Sequence, residues 1–140
     1  YTKDLQTYGI YEARMKLPDA PSSITGVFLY MAPDYYYEID IEVVNDSKGT
    51  LYFTTYDNGE MRKHFAGTLG FDPTKEYHKY RMEYQEDLLS FYIDNVLIKE
   101  WKQGYPKAEM QLYINCWYPK WLEGIKPDSD QKLLIDWVKY

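Results

Sequence analysis

Apolar and polar residues alternate with a period of two along almost the whole chain, and no stretch repeats at the three-to-four spacing of an amphipathic helix. Such alternation places successive side chains on opposite faces of an extended backbone. It predicts strands near residues 8–17, 25–32, 37–45, 50–57, 61–66, 77–84, 88–94, 96–101, 108–117 and 132–139. Turn signals separate them. Pro18 to Ser23 holds two prolines, Asp57-Asn58-Gly59 reads as a hairpin turn, and Asp94-Asn95 suits the positive-φ positions of a two-residue turn. The segment from Pro119 to Asp130 reads as a longer loop. No repeat, linker or low-complexity tract divides residues 1–140, so one domain is expected. Many short strands of this kind predict an all-β fold, an antiparallel sandwich or barrel.

Sorting each strand by face sharpens the picture. In the first, Tyr11, Ala13, Met15 and Leu17 alternate with Ile10, Glu12, Arg14 and Lys16. In 50–57, Leu51, Phe53 and Thr55 oppose Tyr52, Thr54 and Tyr56; in 110–117, Met110, Leu112, Ile114 and Cys116 oppose Gln111, Tyr113, Asn115 and Trp117. One face serves a core, and the other repeats aromatics and hydrogen-bonding groups. Strand 37–45 follows suit: Ile39, Ile41 and Val43 point inward while Glu38, Asp40 and Glu42 share the outer face. Two readings of that acidic row stand open: the solvated face of an amphipathic strand, or a device that needs crowded carboxylates despite their mutual repulsion.

Composition bears on the choice. The chain has 140 residues, enough for one ordinary core, and 17 Tyr, 5 Phe and 4 Trp, more aromatics than such a core needs. Aromatics that face outward on a concave surface form flat platforms suited to sugars, whose faces are C–H and whose edges are hydroxyl. A net charge of −6 with scattered Lys and Arg argues against a nucleic-acid partner. No run approaches a membrane span, and no signal-peptide pattern opens the chain. The single cysteine, Cys116, excludes an internal disulfide framework and a Cys/His zinc set.

The acidic row permits a specific chemistry. Glu38 and Glu42 lie roughly 13 Å apart at Cα in an extended strand, yet their side chains can lean together. Their carboxyls then approach the roughly 5–5.5 Å of a retaining glycosidase, one acting as nucleophile and the other as general acid then base. Crowding keeps one of them protonated near neutral pH.

The segment "EIDIE" at Glu38 to Glu42 resembles the E-x-D-x-E signature of glycoside hydrolase family 16, the group of lichenases, laminarinases and xyloglucan transglycosylases. "YGIYEARMKLP", "TGVFLYMAP", "FTTYDNG", "YINCWYPKWLEG" and "LLIDWVKY" are similar in order and spacing to successive segments of that family. The resemblance implies a β-jelly-roll with a concave glycan cleft and a retaining endo-β-glucanase acting on β-1,3/β-1,4 glucans without a catalytic metal. It implies Glu38 as nucleophile, Glu42 as general acid/base and Asp40 as the group that positions and tunes them. It further implies that Glu12 and Arg14 bond sugar hydroxyls, and that Phe28, Tyr30, Tyr36, Tyr56, Asn115 and Trp117 line the cleft. Packing at the strand entrance is the alternative for Tyr36. Asp136 matches a position that helps some members hold a structural calcium. His64 and His78 receive no catalytic role. An extracellular location also follows only from the resemblance.

The departures bear on substrate more than on mechanism: Tyr36 and Tyr37 stand where lichenases have Trp and Asp, and Thr54 replaces an amide. The chain begins at Tyr1, inside the family pattern, without the N-terminal strands of the two sheets. The expectation is a processed piece of a larger protein or a short form that covers open sheet edges as a homodimer. The alternatives to a hydrolase are a transglycosylase using the same residues, and a non-catalytic glycan-binding sandwich.

Overall fold

The computed structural model describes residues 1–124 and 126–140. Its strands are β1 (Gly9–Lys16), β2 (Ile24–Met31), β3 (Tyr37–Val44), β4 (Thr50–Asp57), β5 (Glu60–Thr68), β6 (His78–Tyr84), β7 (Leu89–Ile93), β8 (Val96–Trp101), β9 (Gln111–Trp117) and β10 (Leu134–Lys139). Every strand expected from alternation is present. The hairpin turns form where glycine and amides permit left-handed backbone: Asn58 and Gly59 have φ of 54° and 82°, Asp94 and Asn95 of 48° and 67°. Of the 119–130 segment, only Ile125 lies outside the described residues, and the rest of it contains no strand.

Two antiparallel five-stranded sheets stack face to face, in the orders β10-β1-β6-β7-β8 and β5-β4-β3-β2-β9. Inward side chains of both build the core: Ile39, Ile41, Leu51 and Phe53 from one sheet meet Ala13, Met15, Met82 and Phe91 from the other. The Phe53 and Phe91 rings stack across the interface with centroids 4.2 Å apart. Burial of rings of this size is the main source of cohesion between the layers. Where β2 begins and β3 ends, buried Asn45 donates from Nδ2 to Ser23 Oγ at 2.8 Å and accepts from Thr25 Oγ1 at 2.7 Å, which locks the open end of the hairpin. Among the described residues, no helix is long and apolar enough to cross a membrane.

The topology corrects two expectations. β1 belongs to the sheet opposite β3, and its inward residues Tyr11, Ala13 and Met15 face the core, so Glu12 and Arg14 point away from the acidic row on the far side of the molecule. Glu12 instead lies 3.6 Å from Arg81, and Arg14 lies over the Tyr77 ring and pairs with Asp136 at 2.5 Å. A role for Glu12 or Arg14 in bonding sugars beside that row is therefore excluded. That role came from the resemblance, and alternation could not check it, because it gives the parity of a residue but not the sheet its strand joins. Asp136, which the resemblance associates with a structural calcium, pairs in this chain with the Arg14 guanidinium.

Candidate active site

The outer face of the β5-β4-β3-β2-β9 sheet is organised in rows that cross the strands in register. Glu38 lies between Tyr30 on β2 and Tyr56 on β4, with Gln111 beyond Tyr30 and Met61 beyond Tyr56. Asp40 lies between Phe28 and Thr54, a row continued by Tyr113 on β9 and His64 on β5. Glu42 lies between Gly26 and Tyr52, with Asn115 beyond the glycine. The three carboxyls thus sit on the central strand, flanked on both sides by rings and small polar groups. They form the floor of a cavity of about 730 Å³.

The walls follow from the same register. Phe28 stacks on Tyr113 at 5.3 Å, and Tyr30 meets that ring edge-on at 5.4 Å while its hydroxyl donates to Asp34 Oδ1 at 2.6 Å. On the other side Tyr52 stacks on His64 at 5.8 Å and meets Trp121 edge-on at 6.2 Å. A Cβ built on Gly26 would come within 2.9 Å of Asn115 Oδ1 and 3.3 Å of Phe28. Absence of a side chain there leaves the space beside Glu42 open.

The electrostatics differ along the row. Burial pushes the Glu38 carboxyl up to about 7, opposed by the hydrogen bond from Asp40 and seconded by the charges of Glu42 and Asp34; the Tyr35 N–H also favours its ionised form. Asp40 is fully buried and held well above the usual carboxylate range, first by desolvation and then by Glu38 and Glu42, so it stands protonated and donates to Glu38. Glu42 is raised by burial and held back by the Trp117 indole N–H, which donates to it. Tyr56, opposite Glu38, is pushed up to about 12 by burial and by the three acids. Burial raises both Glu38 and Glu42, and hydrogen bonds oppose the rise at each, from Asp40 and the Tyr35 N–H at Glu38 and from the Trp117 indole at Glu42. The arrangement supplies a base and an acid on one strand, with a third acid between them as hydrogen-bond donor.

Of the residues expected in the cleft, Glu38, Asp40, Glu42, Phe28, Tyr30, Tyr56, Asn115 and Trp117 line one cavity. Tyr36 does not. Tyr35 has a φ of 67°, which breaks the alternation before β3 begins at Tyr37, so Tyr36 packs on the Tyr37 ring at 4.4 Å and Tyr35 turns into the cavity instead. The aromatic set also gains Tyr52 and Tyr113, which face sorting had placed on the outer side of their strands, and Thr54 with them. Asp34, Met61 and Trp121 were missed because two lie in turns or loops and one follows a register shift between Thr55 and Tyr56. His64 was recoverable from parity: on 61–66 it alternates with Lys63 and Phe65.

Known proteins resemble this arrangement over the whole chain. A β-glucanase of Acetivibrio thermocellus is 27% identical over 146 residues, which span 99% of this chain and 44% of that protein. A β-glucanase of Paenibacillus macerans is 29% identical over 140 residues, 95% of this chain and 59% of that protein. The chain therefore spans about half the length of these relatives. Among solved structures, the β-glucanase of Bacillus licheniformis superposes with a TM-score of 0.84 at 26% identity, covering 97% of this chain and 67% of that one. The Crh5 transglycosylase superposes with a TM-score of 0.83 at 18% identity, covering 98% and 64%, a likeness of fold alone. The sequence model described as Glycosyl hydrolases family 16 matches residues 1–139, and the chain belongs to that family.

Proposed function

We propose that this chain cleaves internal β-1,3 or β-1,4 glucosidic bonds of a glucan by double displacement, with retention of configuration. The observation that carries the reading is the row of Glu38, Asp40 and Glu42 on one strand, forming the floor of an aromatic cleft. Glu38 attacks the anomeric carbon while Glu42 gives its proton to the departing oxygen, so the glycosidic bond breaks as the glycosyl–Glu38 ester forms. Glu42, now ionised, takes a proton from water, and the resulting hydroxide equivalent displaces Glu38 and restores both groups. Asp40 strengthens its hydrogen bond to Glu38 as charge returns to that carboxylate. The rings of Phe28, Tyr30, Tyr113 and Trp117 supply stacking surfaces for successive sugars.

The relatives that support the substrate class are named β-glucanases. The test is a reducing-end assay over barley glucan, laminarin, xyloglucan, agar and carrageenan, followed by anomer-resolved NMR of the first products. Release of the β-anomer from a β-glucan is the expected result; an α-anomer, or binding with no release, overturns it. Glu38→Gln should lower turnover by more than about 1,000-fold while glycan binding persists. Added oligosaccharide acceptor distinguishes transfer to sugar from transfer to water on the same intermediate.

A further inference from the structure

The wall of the cleft beside Glu38 carries a fourth acid that the mechanism above does not use. Asp34 lies in the turn between β2 and β3 and lines the same cavity as the acids of the row. The turn is tied down on two sides. The Tyr36 N–H donates to Pro33 O at 2.9 Å, and the Tyr35 carbonyl accepts from the Gly59 N–H of the β4–β5 hairpin at 3.1 Å. Tyr30, the residue opposite Glu38 on β2, aims the carboxylate: its hydroxyl donates to Asp34 Oδ1 at 2.6 Å, and its ring meets that of Tyr113 edge-on. That bond uses one oxygen. Among the described residues no other group donates to the Asp34 side chain, whereas a carboxylate can accept about four hydrogen bonds. The Asp34 charge is among those that raise Glu38, whereas Glu42 is raised by burial alone, so Asp34 stands at the Glu38 end of the row. Nothing fixed and positive balances it: the described residues that line the cavity include no Lys or Arg, and His64 is the one among them that can become cationic.

We infer that Asp34 is a specificity-determining residue: its carboxylate, aimed by Tyr30, accepts a hydroxyl of the sugar lying over Glu38 and turns away sugars that carry a carboxylate or sulfate there. The inference deepens the proposed function and rests on it in one respect, that a glycan chain occupies the cavity. A sugar hydroxyl brings a donor to an oxygen that only water would otherwise serve, and a bond to an ionised acceptor is roughly twice as strong as a neutral one. An anionic substituent brings no donor and meets like charge between apolar rings, where the effective dielectric is lower than in water. Unsubstituted glucose units, with hydroxyls along their edges, satisfy the site. The acids of the row repel anions too, but Asp34 is the one whose charge can be removed while Glu38, Asp40 and Glu42 stay in place.

The experiment measures kcat and KM on barley glucan and on the same glucan with part of its primary hydroxyls oxidised to carboxylates. It compares the parent chain with Asp34→Asn, Asp34→Ala, Tyr30→Phe and Asp34→Ala/Tyr30→Phe. The ratio of kcat/KM between the two polymers is the main readout, because any effect on Glu38 itself is common to both and cancels. Asp34→Asn keeps an acceptor for Tyr30 and removes the charge. It should lower kcat/KM on plain glucan about threefold, through KM, and raise it on the oxidised polymer about threefold, so that the preference for plain glucan falls about tenfold. Asp34→Ala, which also removes the acceptor, should lower the plain-glucan value about tenfold, again through KM. Tyr30→Phe keeps the ring and should raise KM in the parent but not in the Asp34→Ala background. A preference that Asp34→Asn leaves unchanged, a loss confined to kcat, or additive losses in the double variant overturns the inference. Asp34 is exposed in a turn, so its variants keep the fold, which thermal unfolding checks. A parent chain that cleaves neither polymer would refute the proposed function without deciding this one. Calorimetric binding of plain and oxidised oligosaccharides of the glucan to the parent and to Asp34→Asn then decides it: the same narrowing of preference supports the role of Asp34, and equal preference or no binding overturns it.

Discussion

At the scale of single residues, the acidic row sets activity and stability against each other. Glu38 is raised from an ordinary glutamate value to about 7 because folding removes its solvent and places charges beside it. A carboxyl with a raised value in the fold is bound more tightly to its proton there than in the unfolded chain. Its contribution to stability is therefore full below the unfolded value and is lost as pH rises through the folded one. The chain should lose thermal stability between about pH 4.5 and about pH 7, and Glu38→Gln should lose less over that window. Melting curves at pH 4 and pH 8 check this: the variant should match the parent at the lower pH and exceed it at the higher. The same group sets the acidic limb of kcat/KM, whose midpoint should lie near pH 7. A limb at the value of a free carboxylate would remove the burial argument. Gly26 is the second residue-scale case. Its missing Cβ leaves room that Asn115 and Phe28 border at 2.9 and 3.3 Å. Gly26→Ala should displace Asn115 and lower kcat/KM by about tenfold with little change in melting temperature, checked by paired kinetics and calorimetry.

At the scale of elements, the legibility of the sequence was uneven for a physical reason. Period two is a property of the extended backbone itself, so every strand and the two amide-containing turns could be read from local pattern. Parity within β3, β4 and β9 likewise placed Glu38, Asp40, Glu42, Tyr56, Asn115 and Trp117 on one side of their strands. Strand pairing is a long-range matter, and alternation does not report it. Glu12 and Arg14 have the outward parity expected of cleft residues, but β1 pairs with β6 and β10 in the other sheet. Tyr36 shows a smaller failure of the same kind. Tyr35, left-handed just before β3, takes the cleft position that the resemblance gave to Tyr36. Trp121 and Asp34 lie outside strands and had no parity to read.

At the scale of the whole molecule, the cleft depends on the core beneath it. Ile39 and Ile41 alternate with the three acids and are buried between the sheets, so the floor of the cleft and the roof of the core are the same strand. Phe53 on β4 is fully buried under Thr54 and stacks on both Phe65 and Phe91. Phe53→Ala should cost about 3–5 kcal/mol by removing the stacking partner of both rings and leaving a cavity beneath the acidic row. Chemical denaturation measures the loss, and a change under about 1 kcal/mol would mean that the sheets close over the gap. Phe53→Leu, which refills much of the volume, should recover most of the stability and show whether activity follows the packing or the ring itself.

What the sequence by itself determined was local: which residues are extended, where the chain turns, which side chains share a face, and that three carboxyls stand in one row. Those properties depend on backbone geometry and neighbouring residues, and they hold before any two strands meet. Only the tertiary structure decided which faces look at each other. It set β2, β4, β5 and β9 beside the acids and carried β1 and β10 to the far layer. It also buried Asp40, which holds its carboxyl well above the usual range, and brought the Trp117 indole to Glu42. Those outcomes depend on solvent being excluded by residues distant in the chain, a quantity that no alternating pattern contains.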